Sequence, residues 1–506
     1  MSSSQHDLHS TLSSDKLAKL KPSADLFLLR HSLEHRTPPL EQRVFVNRTL
    51  RLEKIRYAGF DLDWTLADYD RETMSRLAFE LTLRRLVESF DYPEAILGAE
   101  FRSDFCRRGL ILDTEEGTVL KMNRHRYVGR AYFGRQFLDA RARTDLYRRE
   151  PIHPSGPRFY FVDTLFELPE VNIFSELVEM SRRGEVKLHS YAQLFRNTRE
   201  AIDSIHRDGT LKARILADLP RYLPKDDLLP VALRRLALSG RKLLLITNSE
   251  WYYTDALCTH LFEGALPGIK DWHDLFDLVV VSAAKPNFFR KSIPFTELDP
   301  GGEPAAEVTV PQWGKVYSGG CRAGLMELLG VPGEQVLYVG DHIYGDILST
   351  KIASTWRTAL VVSELEDELR IRNRLASQLR HMGVLRAELA EMGFRLDDLK
   401  DVQTLWRRLF GPEAAESPQI AEQMATLRRD HRALRHHAAR LQSRFSRELN
   451  PYWGSLFKQG ANISLFGSQV DDFACLYTSR VRNFAFYGNR HYFRVAADPM
   501  MHESEL

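Results

Sequence analysis

The absences in this 506-residue chain narrow the field first. No apolar run approaches the roughly 20 residues that a membrane-spanning helix needs. The opening Met1-Ser-Ser-Ser-Gln-His-Asp has no apolar region of the kind a secretory signal carries. Only four cysteines occur, Cys106, Cys258, Cys321 and Cys475, and none stands in Cys-x-x-Cys spacing. That argues against a disulfide framework and a zinc site, and for a reducing compartment. Charge of one sign is missing too: 70 Lys and Arg against 68 Asp and Glu leave +2. No global attraction to nucleic acid or membrane follows from that balance. The expected location is cytoplasmic, with no membrane partner and no nucleic-acid partner.

What remains is an ordinary composition, 43% hydrophobic and 27% charged, with enough length for two or three domains. The chain is organised around Tyr57-Ala-Gly-Phe-Asp-Leu-Asp-Trp-Thr-Leu-Ala67. A short β-like run leads into Asp61 and Asp63, which leave an extended chain on the same side. Three further strands follow the same plan. Lys242-Leu-Leu-Leu-Ile-Thr-Asn-Ser249 ends in Thr247, Asn248 and Ser249. Phe276 to Ser282 is followed by Lys285, and Gln335 to Gly340 by Asp341 and Asp346. Thr358 to Val362 reads as one more strand. Continuous apolar runs of this kind mark strands buried on both faces, as in a parallel sheet. Helical patterns alternate with them, as at Arg76–Val87 and Leu229–Leu238. The fold class expected is α/β, a doubly wound, Rossmann-like parallel sheet with ligands at the carboxyl ends of its strands.

Between Asp63 and Lys242 there is room for an inserted α+β domain. It shows β-like runs at Gly109–Leu112 and Thr118–Met122, a strand at Phe159–Phe166, and helices over 169–183 and 191–207. Residues 365–447 are strongly helical. Ile420, Met424, Leu427, Leu434, Ala438 and Leu441 follow three-four spacing, so a hairpin or arm is expected there.

The four strand ends fit one chemistry. Asp61 suits a nucleophile on phosphorus and Asp63 a general acid and then base. Thr247 and Asn248 can donate to phosphoryl oxygens, and Lys285 supplies fixed positive charge. Asp61, the carbonyl of Asp63, and Asp341 suit Mg²⁺, with Asp346 orienting metal waters or Lys285. The plainer reading of each cluster alone is a polar turn or a helix cap.

Asp-x-Asp-x-Thr after a strand resembles the nucleophile motif of haloacid-dehalogenase-type phosphotransferases. A closer resemblance rests on Arg43-Val-Phe-Val-Asn-Arg48, Asp163-Thr-Leu-Phe-Glu-Leu-Pro-Glu170, Lys285-Pro-Asn-Phe-Phe289, Val316-Tyr-Ser-Gly-Gly320, Gly340-Asp-His-Ile-Tyr-Gly-Asp-Ile-Leu348, Leu465-Phe-Gly-Ser-Gln-Val470 and Met501-His-Glu503. These motifs resemble the cytosolic purine 5'-nucleotidase family. The resemblance implies Mg²⁺-dependent hydrolysis of purine nucleoside 5'-monophosphates, IMP and GMP, through an aspartyl-phosphate. It also implies phosphate transfer to a nucleoside acceptor, and a homo-oligomer, dimer or tetramer. It implies base recognition by Arg199 and Asp203, stacking by Phe166 and His206, and phosphate contact by Lys212, with Ser249 in the same pocket. Asp163 and Glu167 depart from the family pattern, which has Asn there, and Arg207 stands in place of an aromatic residue.

The organisation expected is a flexible lead at 1–40, a haloacid-dehalogenase-like catalytic core at 41–66 and 235–365, and a substrate-recognition cap at 67–234. A helical arm at 366–447 and a C-terminal segment at 448–506, packed on the core or at an oligomer interface, complete it. Two other readings stand beside the nucleotidase. One is a phosphatase of the same fold for another phosphomonoester, such as a sugar phosphate. The other is a non-catalytic nucleotide- or RNA-binding protein.

Overall fold

The computed structural model describes residues 37–148, 152–154, 156–266, 269–411 and 417–495. Most of the expected flexible lead, and Met501-His-Glu503, lie outside these residues. The described chain forms two units: one runs up to Glu366 and resumes at Leu456, and the other is Asp367–Ser455.

The first unit is built on a ten-stranded sheet. Its strands are β1 (Val44–Val46), β2 (Tyr57–Phe60), β3 (Lys242–Ile246), β4 (Leu278–Val281), β5 (Phe295–Leu298), β6 (Pro304–Val308), β7 (Val316–Gly319), β8 (Val336–Gly340), β9 (Arg357–Val361) and β10 (Leu476–Thr478). They lie in the order β1-β10-β9-β8-β2-β3-β4-β7-β5-β6. From β10 through to β7 every neighbouring pair is parallel, and antiparallel strands flank that block on both sides. The expected α/β class on a largely parallel sheet is what is found. The central strands are buried because both faces are covered: all of β4 and β8 and Leu243–Ile246 of β3 are buried. On one face Leu244, Ile246, Val280, Phe289, Tyr338 and Trp356 form a continuous core.

The chain between β2 and β3 leaves the sheet. Helix α1 (Arg71–Phe90) opens it, with Asp70 accepting from Thr73 N at 2.8 Å as its N-cap. A five-stranded antiparallel sheet follows, from Leu110–Asp113, Thr118–Met122, Val128–Phe133, Gln136–Phe137 and Phe159–Phe161. Helices α2 (Leu168–Arg182) and α3 (Tyr191–Arg207) come next. The apolar run Phe159–Phe166 is not one strand. Pairing stops at Phe161, and a turn at Leu165–Glu167 begins where the Thr164 hydroxyl accepts from Phe166 N. Helix α4 (Leu228–Leu238) leads back to β3, and α5 (Trp251–Phe262) leaves from its far end.

The second unit contains α6 (Ala376–Phe410) and α7 (Pro418–Leu449), which pack on each other. Met382, Leu385, Leu396 and Met424 are its buried residues within these two helices. The rest of the α7 seam, Ile420, Leu427, Leu434, Ala438 and Leu441, is half-buried, as a two-helix unit allows. Among the described residues, no helix is long and apolar enough to cross a membrane.

Candidate active site

Register brings the strand ends together. Phe60 of β2 lies opposite Val339 of β8 and Leu245 of β3. Asp61 N then donates to Val339 O at 2.9 Å, one step beyond the last pair. Asp61 therefore emerges beside Asp341 on one side and Thr247 on the other. The chain is turned back at once: the amides of Thr65, Leu66 and Ala67 all donate to Leu62 O. Trp64 takes the left-handed φ of 56° that this reversal requires, an uncommon conformation for so large a side chain. The turn fixes Asp61 and Asp63 on a rigid corner.

Lys285 sits at the centre. Its Nζ is 2.7 Å from Asp61 Oδ1 and 2.8 Å from Asp346 Oδ1, and donates to Tyr338 OH at 3.0 Å. Tyr338 OH passes the chain on to Ile246 O at 3.0 Å. The Lys285 backbone is clamped by the Asn248 side chain, which accepts from Lys285 N at 2.6 Å and donates to Lys285 O at 3.1 Å. Burial works against the ammonium charge, but Asp346 and Asp61 more than offset it, and Lys285 stays well above its ordinary range. Burial pushes Asp61 up to about 7 against the pull of Lys285.

Asp61, Asp341 and Asp346 each offer a carboxylate oxygen, and these oxygens lie within 4.8 Å of one another. Asp341 Oδ2 is buried and accepts no hydrogen bond among the described residues. Burial drives that carboxyl well above its usual range, with Arg108 pulling the other way. Three hard oxygen donors, one of them otherwise unsatisfied, fit a divalent cation such as Mg²⁺. Asp346 also accepts from His342 N at 3.2 Å, and a Cβ at Gly340 would come within 2.4 Å of its carboxylate. Only glycine ends β8 without displacing it.

Asp63 stands apart from that cluster. Ser249 Oγ donates to its Oδ2 at 2.6 Å and Tyr69 OH to its Oδ1 at 2.7 Å. Thr247 Oγ1 accepts from Ser249 N at 3.0 Å, which leaves its own proton to give. The structure thus brings Asp61, Asp63, Thr247, Asn248, Ser249, Lys285, Asp341 and Asp346 to one set of strand ends.

The insertion contributes a second group. Phe166 packs edge-on against Trp64 (5.9 Å) and His206 (5.6 Å), so it lies beside the Asp63 corner. Burial, then Lys212, lowers the His206 pKa, which favours the neutral imidazole. Lys212 bonds Glu250 and lies over the Tyr253 ring at 5.2 Å. Arg199 and Asp203 do not form the helix ion pair that their spacing allows. Arg199 Nη1 instead meets Tyr160 OH, Glu167 at 3.2 Å and Glu170 at 3.3 Å, while Asp203 is exposed.

This cluster holds more acid than base. Burial raises Glu170 to about 8, with Arg199 lowering and Glu167 raising it, and burial likewise raises Glu167. A carboxyl raised above its ordinary 4.5 stabilises the fold fully below that pH and loses the contribution as pH rises to about 8. Glu170→Gln is therefore expected to flatten the fall in melting temperature between pH 5 and 8. One group's mismatch is worth at most about 1.4 kcal/mol per pH unit. Thermal unfolding of both proteins across that range measures it, and parallel profiles would sink the assignment.

Arg108, Glu364, Tyr69 and Tyr338 were not legible as site residues. Arg108 is wholly buried, donates to Asp341 O at 2.8 Å, and holds Glu364 at 3.0 and 2.5 Å. Its only local sign is Arg107-Arg108-Gly109, which matches no chemical motif.

The model of the 5' nucleotidase family matches residues 44–505. The chain belongs to the 5' nucleotidase family. Among curated members, a 5'-nucleotidase domain-containing protein of Dictyostelium discoideum is 28% identical over 493 residues, 95% of this chain and 77% of the relative. The 5'-nucleotidase domain-containing protein 2 of Rattus norvegicus is 29% identical, and that of Homo sapiens 28%, each over 92% of this chain. Those alignments cover 80% and 85% of the two relatives. The 5' nucleotidase match spans both the strand-end cluster and the insertion that carries Phe166 and Arg199.

Proposed function

We propose that this protein hydrolyses nucleoside 5'-monophosphates by haloacid-dehalogenase-type chemistry, with purine substrates such as IMP and GMP. The observation that carries the reading is the buried set Asp61, Lys285, Asp346 and Asp341, with Asp63 held separately by Ser249 and Tyr69. Nucleophile and proton carrier are thus two residues apart and in different environments, which is what their two tasks require.

In the proposed reaction an Asp61 oxygen attacks phosphorus in line, and the bond to the nucleoside O5' breaks. Asp63, as the acid, gives that oxygen its proton and the nucleoside leaves. Asp63 then takes a proton from water, whose oxygen attacks the aspartyl-phosphate, and orthophosphate and free Asp61 are formed. Lys285, the Thr247 hydroxyl and the Asn248 backbone N–H meet the phosphoryl oxygens. Asp61, Asp341 and Asp346 would hold Mg²⁺, which when bound supplies charge neutralisation on the phosphoryl group. Capture of the aspartyl-phosphate by a nucleoside hydroxyl in place of water gives phosphotransfer. On this reading 41–66 and 235–365 are the catalytic core and 67–234 the recognition cap. Phe166 and His206 form one wall for the base, with Arg199 and Asp203 at its edge.

One observation favours a substrate other than a 6-oxopurine nucleotide. Arg199 is engaged by Tyr160, Glu167 and Glu170 on the nitrogen nearest them, and only its remaining donors are left for a base. The test is phosphate release from IMP, GMP, AMP, UMP and a sugar phosphate, with and without Mg²⁺. Mg²⁺-dependent release from IMP or GMP is expected, reduced at least about 1,000-fold in Asp61→Asn. Release confined to non-purine substrates would discard the roles of Arg199 and Asp203. No release from any would move the weight to a binding protein.

A further inference from the structure

The opposite end of the sheet holds a cavity of about 940 Å³ that the proposed chemistry does not use. It opens at the amino-terminal ends of β2, β8 and β9. Arg56 directly precedes β2 and Arg357 begins β9. Arg51 and Lys54 join them from the segment before β2, so four cations face two carboxylates, Glu53 and Glu334. Among the described residues, Lys54, Arg56 and Arg357 have no ion-pair partner. Arg51 meets Glu53 only at 3.8 Å, with both side chains about half exposed (51% and 47%), a contact worth little.

The remaining wall is Tyr492, paired in register with Arg51. Its ring is already engaged: Arg51 Cζ lies 4.7 Å and Arg494 Cζ 4.6 Å from the centroid. The ring therefore holds guanidinium groups in place, and charge is left as the means of recognition. Guanidinium forks match phosphate oxygens two at a time. The groove is open, with Arg51, Lys54 and Arg56 exposed, and its volume is well beyond that of a single phosphate.

We propose that this cavity is a second anion site and binds a small oligophosphate. It is distinct from the catalytic end: Arg56 and Asp61 are five residues apart along one strand, about 16 Å at about 3.3 Å per residue.

Calorimetric titration of the full chain with inorganic triphosphate, free of divalent metal, tests the proposal. Arg56→Glu with Arg357→Glu is expected to weaken binding at least about tenfold. Arg428→Glu with Arg429→Glu makes the same charge change on exposed positions of α7 and is expected to leave it within about twofold. Arg56→Gln with Arg357→Gln, which adds no repulsion, is expected to weaken it in the same direction by a smaller factor. Phosphate release measured without triphosphate is expected to stay at the wild-type level in the cavity variants. Equal weakening in the α7 control, unchanged binding in both cavity variants, or no binding by the wild type would each overturn the site.

Discussion

On the proposed chemistry, Lys285→Met is expected to cut phosphate release by more than about 100-fold, and it should make the protein's stability depend steeply on pH. The ammonium is buried and serves Asp61 and Asp346 at once, at 2.7 and 2.8 Å. Removing it leaves two carboxyls facing each other in a dry site. Losing one fixed donor to a reacting oxyanion costs about 100- to 1,000-fold in kcat, and the variant would also lose the counter-charge of Asp61, the nucleophile of the proposed reaction. Asp61 is already raised to about 7 with the cation present. Without it the carboxyl rises further and is less ionised at neutral pH, so residual activity should shift to higher pH. The stability effect runs the other way. A raised carboxyl contributes fully below its ordinary pKa and loses that contribution as pH rises through its folded value. The gap in melting temperature between wild type and Lys285→Met, measured without metal at pH 5, 7 and 9, should therefore widen with pH. A gap of the same size at all three would mean that the lysine acts by packing alone.

The strand-end residues were legible because chemistry and position coincide there. Asp61, Thr247 and Asp341 stand directly after short apolar runs, and Lys285 a few residues after one, and turn-bounded runs of that length fit strands buried on both faces. The outer strands were not legible for the same reason. Val44–Val46 and Leu476–Thr478 have three residues each, and Pro304–Val308 is almost wholly exposed. None offers a run long enough to separate from loop. In the insertion, spacing correctly put Arg199 and Asp203 one turn apart on a helix, yet Arg199 turns to Tyr160, Glu167 and Glu170. Those partners come from a strand, a turn and the start of α2, at separations of 39, 32 and 29. A helical wheel contains no such information.

Arg108 is the plainest case of a residue known only from the fold, and the second large effect belongs to it. Its partners are 233 and 256 positions away. Burial favours a neutral Glu364, but Arg108 holds its carboxyl down to about 2. A carboxyl lowered in this way stabilises the fold above its ordinary pKa, and that contribution is lost as pH falls toward 2. Arg108→Met strands Glu364 in the interior, and breaking such a pair costs about 3 to 5 kcal/mol. Arg108→Met with Glu364→Gln removes the stranded charge, so the double variant should be more stable than Arg108→Met alone. Denaturant unfolding of the four proteins gives the coupling energy directly. Additive losses would deny the pair any special worth. The same guanidinium fixes the Asp341 carbonyl at 2.8 Å and lies 3.9 Å from its carboxylate. On the proposed chemistry, Arg108→Met should therefore raise the Mg²⁺ concentration for half-maximal phosphate release by about 10- to 100-fold. Glu364→Gln, which leaves Arg108 in place beside Asp341, should raise it less. If both variants lose stability but neither changes the Mg²⁺ requirement, the pair fastens the fold and has no part in holding Asp341 for the metal.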